Sequence, residues 1–347
     1  MDISSMTLGE LEDFVIYNNE KKYRAKQIFQ WIHSKFARDF AQMTNLSGDF
    51  RTFLEEEHPI CQIEIERKYE SLEDEVHKYL LKLPKDTIIE SVLMKYSFGN
   101  SLCVSTQAGC AMGCAFCRSG EDGFFRNLSA YEILAQVYRI WEECKERISN
   151  IVLMGSGEPL HNFDNVVRFI EIISHEHGLN IGRRHITLST CGIVPEIYKL
   201  ADLKPGINLA LSLHASDDEI RKQLMPVAKK YNIDETLSAC DYYQKTTGRR
   251  VTYEYAMIKG INDSKSHARE LGNKLKGRLC HVNLIPVNEV PGKNFYRPER
   301  KSIQEFYDIL CKLNIDTTIR RELGSSVAAA CGQLKAEFLN GFNELGR

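Results

Sequence analysis

The chain has 347 residues, with 45 Lys and Arg against 47 Asp and Glu, a net charge of −2, 43% hydrophobic residues and 27% charged ones. This balance excludes a disordered chain, and it neither gives the electrostatic footprint of a nucleic-acid binder nor excludes one; the length allows two or three domains, or one α/β barrel with an added module. No apolar run is long enough to cross a bilayer, the first residues lack a basic segment followed by an apolar stretch, and eleven Cys, an odd number, point to reduced thiols, so a cytoplasmic location is expected.

Residues 1–60 read as a helical module. Leu8, Leu11, Phe14 and Val15, then Ile28, Trp31, Ile32 and Lys35, recur at three- to four-residue spacing, and His58-Pro59 closes the segment. Residues 61–100 read as a small antiparallel β extension, because Gln62 to Arg67 alternates strictly and 76–83 and 87–96 are rich in strand formers. From 101 onward strand and helix patterns alternate. Strands are expected at 101–106, 151–154, 185–190, 207–213, 251–257 and 281–285, and the clearest helix opens on the capping box Ser129-Ala-Tyr-Glu132. Six such units predict an α/β fold with a parallel sheet inside helices, either an open doubly wound sheet or a partly closed barrel. In both, function gathers at the C-terminal strand ends.

Cys110, Cys114 and Cys117 stand at CX3CX2C spacing in the loop after the first of these strands, with no equally close fourth thiol. Iron–sulfur clusters are usually held by four thiolates, so three would leave one iron of a [4Fe-4S] cluster open to a ligand. A zinc site completed by a distant residue, or packed thiols, would use the same spacing. Gly155-Ser-Gly-Glu-Pro159 follows the second strand, Ser189 ends the third, Ser212-Leu-His214 the fourth, and Asn288 follows the sixth. Polar groups at successive strand ends converge on one pocket if the barrel reading holds; singly, each reads as a turn or cap residue. Arg183-Arg184, Lys229-Lys230, Arg249-Arg250 and Arg320-Arg321 each read alone as solvated surface or strand ends.

Cys103, seven residues before the cluster motif, and Cys331, in Ala330-Cys-Gly-Gln-Leu334, complete a more specific pattern. With Tyr23-Arg-Ala-Lys-Gln-Ile-Phe-Gln-Trp-Ile32, Arg126-Asn-Leu128, Gly157-Glu-Pro-Leu160, Thr187-Leu-Ser-Thr190, Leu211-Ser-Leu-His214 and Leu284-Ile-Pro-Val-Asn288, the chain resembles the radical S-adenosylmethionine (SAM) RNA adenine methyltransferases over nearly its whole length. That family contains the dual-specificity C2 enzyme of 23S rRNA and tRNA and its C8-directed antibiotic-resistance relative.

The resemblance implies a partial (βα)6 radical SAM barrel over 101–347, ending in a catalytic-Cys segment, with the RNA-contacting helical module at 1–60. It implies a [4Fe-4S] cluster on Cys110, Cys114 and Cys117, and SAM contacts at Gly157, Glu158, Ser189, Ser212, Leu213, His214 and Asn288. Two SAM molecules would be consumed per turnover. Cys331 would carry the methyl group, Cys103 would release the product by forming a disulfide with it, and Glu90, in Ile88-Ile-Glu-Ser-Val92, would accept a proton. The expected partners are 23S rRNA, tRNA and a low-potential electron donor such as flavodoxin or ferredoxin, the expected state a monomer, and the expected RNA surface the N-terminal helices with the basic pairs. Methylation at adenine C2 is the preferred reading and C8 the alternative; a radical SAM activase or oxidoreductase, or a non-enzymatic metal-binding module, are the readings from other classes.

Overall fold

The computed structural model describes residues 2–71, 74–121, 123–288 and 294–320. Three helices come first: α1 (Leu8–Tyr17), α2 (Tyr23–His33) and α3 (Gly48–Glu57). Thr7 caps α1 and Glu10 returns the bond to the Thr7 amide, closing a capping box. Leu11, Val15, Ile28, Phe29, Ile32, Phe50 and Leu54 are buried, as the helical spacing requires. Lys35 is an exception: α2 ends at His33, and Lys35 lies exposed with its ammonium 3.7 Å above the Trp31 ring.

Four strands follow in antiparallel succession: β1 (Glu64–Glu70), β2 (Val76–Leu83), β3 (Thr87–Tyr96) and β4 (Gly99–Cys103). A short hairpin, β5 (Gln107–Gly109) with β6 (Phe124–Asn127), holds the three-Cys loop between its strands. Then come α4 (Ala130–Cys144), β7 (Ile148–Leu153), α5 (Phe163–Ile173), β8 (Ile186–Thr190), α6 (Val194–Leu203), β9 (Asn208–Ser212), α7 (Asp218–Leu224), α8 (Ile233–Thr247), β10 (Val251–Met257), α9 (Lys265–Leu275), β11 (Cys280–Pro286), α10 (Arg300–Lys312) and β12 (Thr317–Ile319).

Among the described residues, all strands except the β5–β6 hairpin join one sheet in the order β1-β2-β3-β4-β7-β8-β9-β10-β11-β12. From β4 onward its pairs are parallel. The antiparallel segment is an extension of the barrel sheet: β3 pairs directly with β4 and continues the sheet past its first parallel strand. At the other edge β12 adds a parallel strand beyond the six expected from sequence.

One face of the sheet packs on helices. Ile133, Leu134, Val137 and Ile140 of α4, and Val166, Phe169 and Ile170 of α5, are buried there with Leu102, Val104, Ile151 and Leu153. Each such side chain removed from water contributes roughly 1.5–3 kcal/mol. Gln136 is a buried polar group on α4. Its amide oxygen accepts from the Ser105 N–H (2.9 Å) and the Ser91 hydroxyl (2.8 Å), and its NH2 donates to the Ser105 carbonyl (2.8 Å), tying β3 to the chain leaving β4.

The N-terminal helices dock on α4. The Phe36 ring stacks on Tyr138 with centroids 4.8 Å apart, and the Tyr131 N–H donates to the Ser5 hydroxyl at 3.0 Å. His33 Nδ1 lies 2.9 Å from the Tyr138 hydroxyl, and burial, then the charge of His175, presses its pKa down to about 3 from 6.5. The unfolded chain therefore takes up a proton that the folded His33 refuses, so this group's contribution is complete above about pH 6.5 and is lost as pH falls towards its folded value. His33→Phe should lower the urea midpoint near neutral pH, because Tyr138 loses its partner, yet flatten the acid-side decline. A decline as steep as that of the wild type would show that His33 is not its source.

Candidate active site

The three-Cys loop is shaped by backbone contacts at its ends. Gly109 has φ +73°, and a Cβ there would lie 2.0 Å from the Gly123 carbonyl, which accepts from the Cys110 N–H at 3.0 Å. Farther along, the Ala115 N–H donates to the Leu224 carbonyl, so the end of α7 supports the middle of the loop. All three thiols border a cavity of about 190 Å³ at the C-terminal ends of the parallel strands, together with Met154, Gly157, Glu158, Ser189, Ser212, His214 and Asn288. The three thiols and the strand-end positions expected from sequence thus meet in one place, except Leu213, whose side chain is buried in the core; its N–H donates to the Glu254 carbonyl.

The donor set fits an iron–sulfur cluster. Burial raises the Cys110 thiol to about 11, with the neighbouring Cys117 adding to it, and pushes Cys114 higher still, with Cys117 and Cys110 adding their repulsion. Such thiols ionise when a cation compensates them. Among the described residues no three His, Cys, Asp or Glu converge on a single ion. A [4Fe-4S] cluster does not ask that of its ligands, since each thiolate binds a different iron.

The loop after β7 is clamped to the chain leaving β4. The Gly155 N–H donates to the Val104 carbonyl, the Thr106 and Gln107 amides donate to the Ser156 carbonyl, and the Ser156 N–H donates to the Ser105 hydroxyl at 2.9 Å. Gly157 adopts φ +106°, with an added Cβ 2.6 Å from that of Gln107. Glu158 acts first as a brace: Oε1 accepts from the Leu160 N–H (3.0 Å) and Oε2 from the Cys191 N–H (2.8 Å), while its own N–H donates to Gln107 Oε1 (2.8 Å). Burial raises its pKa and these bonds oppose the rise. A carboxylate has lone pairs beyond those two, which a ligand ammonium can still use.

His214 has a left-handed backbone, φ +56°, a strain of roughly 1–3 kcal/mol for a residue with a side chain. It is held by the Ala256 N–H donating to Nδ1 (2.8 Å), by Asn262 Nδ2 donating to its carbonyl (2.8 Å), and by Phe116, whose ring meets it edge-on at 4.8 Å. Burial, then Arg221, lowers its pKa to about 3, so the ring is neutral with Nε2–H as its donor.

Sequence reading missed Glu254 and Arg221. Glu254 lines the cavity and accepts from Asn283 Nδ2 at 2.8 Å; burial raises its pKa, opposed by Arg320. An acidic residue on an inward position of a predicted strand was the available signal. Arg221 is fully buried, donating to the Cys191 carbonyl (2.8 Å) and the Leu213 carbonyl (3.3 Å), and so ties two strand-end loops together.

Glu90 and Cys103 lie on the same face of the sheet. Cross-strand register places Tyr69, Lys78, Val92, Cys103 and Val152 in one row, and Glu90 shares that face two residues along β3 from Val92. Cys103 is buried against Val92, Met94, Val152 and the cavity-lining Met154. Cys331 lies outside the described residues. The basic pairs divide. Arg183-Arg184 and Arg249-Arg250 precede β8 and β10, at the end of the sheet away from the cavity, where Arg250 pairs with Asp316 at 2.6 Å. Lys229-Lys230 follow α7 on the cavity side, and Arg320 lines the cavity.

Comparison with known proteins gives two family-model matches, the Radical SAM superfamily over residues 104–271 and the ribosomal RNA large subunit methyltransferase N-terminal domain over residues 1–60. A probable dual-specificity RNA methyltransferase RlmN from Alkaliphilus oremlandii is 55% identical over 98% of both chains. Its counterpart from Clostridium novyi is 53% identical over 97% of this chain and 98% of its own. The crystal structure of a radical SAM methyltransferase from Sphaerobacter thermophilus matches with a TM-score of 0.92 at 42% identity, covering 97% of this chain and 100% of that one.

Gly157→Ala should weaken SAM binding to the reconstituted protein at least about tenfold, because the strained backbone must move away from the cavity. Equilibrium dialysis beside an iron assay checks this: unchanged affinity would remove Gly157 from the site, and unchanged iron content separates the effect from cluster loss.

Proposed function

Because this chain belongs to the radical SAM superfamily and, within it, to the dual-specificity RNA methyltransferases, we propose that it methylates C2 of an adenosine in the peptidyl-transferase region of 23S rRNA and of an adenosine in tRNA. The observation that supports the reading is that Cys103, packed in one cluster with Met154 of a cavity bordered by three thiols and the strand-end polar groups, shares a sheet face with Glu90. Adenine C2 is an electron-poor amidine carbon and cannot attack a sulfonium methyl by polar displacement. The methyl group must first be carried and activated elsewhere.

When bound, the cluster on Cys110, Cys114 and Cys117 supplies one electron, and two SAM molecules supply the methyl group and the radical that activates it. The chain's residues do the rest. The Cys331 thiolate takes the methyl group by displacement and, once that group is activated, becomes joined through its carbon to the adenine. Glu90 accepts the proton lost from the substrate carbon. Cys103 then attacks the Cys331 sulfur; the sulfur–carbon bond breaks with its electron pair going to the carbon, which takes a proton to become the methyl group of the freed base, and the resulting disulfide is reset by an external reductant.

The cavity residues hold SAM: Glu158 and His214 offer a carboxylate and an Nε2–H, and Gly157, Ser189, Ser212 and Asn288 complete the set. The target adenosine would be splayed from a loop into the cavity mouth, as unstacked RNA bases are read. Residues 1–60, Lys229-Lys230 and Arg320 supply the RNA-facing charge and surface. We assign the electron to a low-potential flavodoxin or ferredoxin, and the protein acts as a cytoplasmic monomer. No helix among the described residues is long and apolar enough to cross a membrane.

Two variants test the sequence of steps. Cys331→Ala should abolish methyl transfer, and Cys103→Ala should leave a protein–RNA crosslink that wild type resolves. Mass spectrometry of adenosines from rRNA and tRNA, with and without the protein, should reveal 2-methyladenosine; 8-methyladenosine would move the assignment to C8, and no new methyladenosine would reject it.

A further inference from the structure

Lys78 is a lysine whose side chain is only 6% exposed, and its ammonium lies 3.5 Å from Oε1 of Glu90, itself 2% exposed. The approach is set by register. Lys78 stands opposite Val92 and Leu80 opposite Glu90, so Lys78 and Glu90 are diagonal neighbours on the face that also carries Cys103. From the other side Lys78 is flanked by Tyr69, its partner on β1, whose ring centroid lies 5.2 Å from the ammonium.

A pair of opposite charges buried on a sheet face is a poor stabilising device, since apolar side chains of similar volume serve as well or better there. Its value lies in the state it imposes. A carboxyl group taken out of water tends to keep its proton, and a protonated carboxyl cannot accept another. An ammonium at 3.5 Å favours the carboxylate.

We propose that Lys78 is a positioning residue for the methylation reaction: its ammonium holds Glu90 ionised and aimed towards the substrate carbon, so that Glu90 can take the proton released there. The electron pair of that bond remains on the purine, the unpaired electron left by the radical addition is given up to the oxidised iron–sulfur centre, the proton passes to a Glu90 oxygen, and the Lys78 side chain is left chemically unchanged. The inference rests on the reading of Glu90 as proton acceptor, and the test separates the two.

The reconstituted holoenzyme is compared as wild type, Lys78→Met, Lys78→Arg and Glu90→Gln, with three readouts: 5′-deoxyadenosine released, RNA held as crosslink, and methyladenosine formed. Lys78→Met should release 5′-deoxyadenosine in the first turnover as wild type does, accumulate the crosslink, and lower methyladenosine roughly tenfold or more. Lys78→Arg should recover most of the product, and Lys78→Met should add little to Glu90→Gln. If Glu90→Gln stalls while Lys78→Met turns over normally, the role of Lys78 is overturned alone. If Glu90→Gln itself resolves the crosslink, the base assignment fails with it. Should Lys78→Met lose iron or 5′-deoxyadenosine release, Lys78→Gln takes its place: crosslink accumulation with an intact cluster supports the proposal, and loss of all three readouts without recovery in Lys78→Arg overturns it.

Discussion

Strand β4 pairs antiparallel with β3 on one side and parallel with β7 on the other, and both halves of the proposed active site depend on that double pairing. Through β7 the strand joins the parallel sheet whose C-terminal ends surround the cavity. Through β3 it joins the strand carrying Glu90. Because side chains alternate across a strand, the register that puts Cys103 opposite Val92 also puts Lys78, Glu90 and Cys103 on one face. A slip of one residue between β3 and β4 would turn Glu90 and Lys78 towards the helices and bring Ser91 and Tyr79 to the site. Gln136, by bonding Ser91 and both backbone groups of Ser105, fastens the register from the helix side.

The cavity is built from polar groups whose bonds are largely internal. Glu158 spends two acceptor positions on the Leu160 and Cys191 amides, Arg221 spends its donors on the Cys191 and Leu213 carbonyls, and His214 is anchored at Nδ1, N–H and carbonyl. Each group joins loops that follow different strands, so the rim is fixed before any ligand arrives. Such preorganisation lowers the ordering cost of binding, and the same low-polarity surroundings raise the cost of any unmatched charge. This accounts for the raised pKa values of Glu158, Glu254, Cys110 and Cys114, all driven first by burial.

Much of this was legible in the chain. The CX3CX2C loop, the six strand–helix units, the capping box at Ser129 and the strand-end residues Ser189, Ser212, His214 and Asn288 all fall where local pattern put them. Local pattern failed where a partner decides. Residues 61–100 read as a small antiparallel extension, but alternation reveals a strand and not its neighbour; that the extension joins the barrel sheet is decided by the pairing of β3 with β4. Arg249-Arg250 read locally as a strand end, and they do precede β10, but that they lie at the end of the sheet away from the cavity depends on strand direction. Lys35 matched a helical period past the point where α2 stops.

What the sequence determined by itself was chemistry that spacing and local periodicity can carry: three thiols in one loop, a thiol seven residues ahead of them, another near the end of the chain, and an α/β alternation that puts loops at strand ends. What only the tertiary structure decided was which of the remaining side chains meet. Lys78 and Glu90 are twelve residues apart in sequence, and neither stands in a motif that predicts a contact. The hairpin register and the shared face bring them to 3.5 Å. The physical reason is that alternation fixes which residues share a face within one strand, whereas relations between strands are set by pairing, and pairing is a property of the folded sheet.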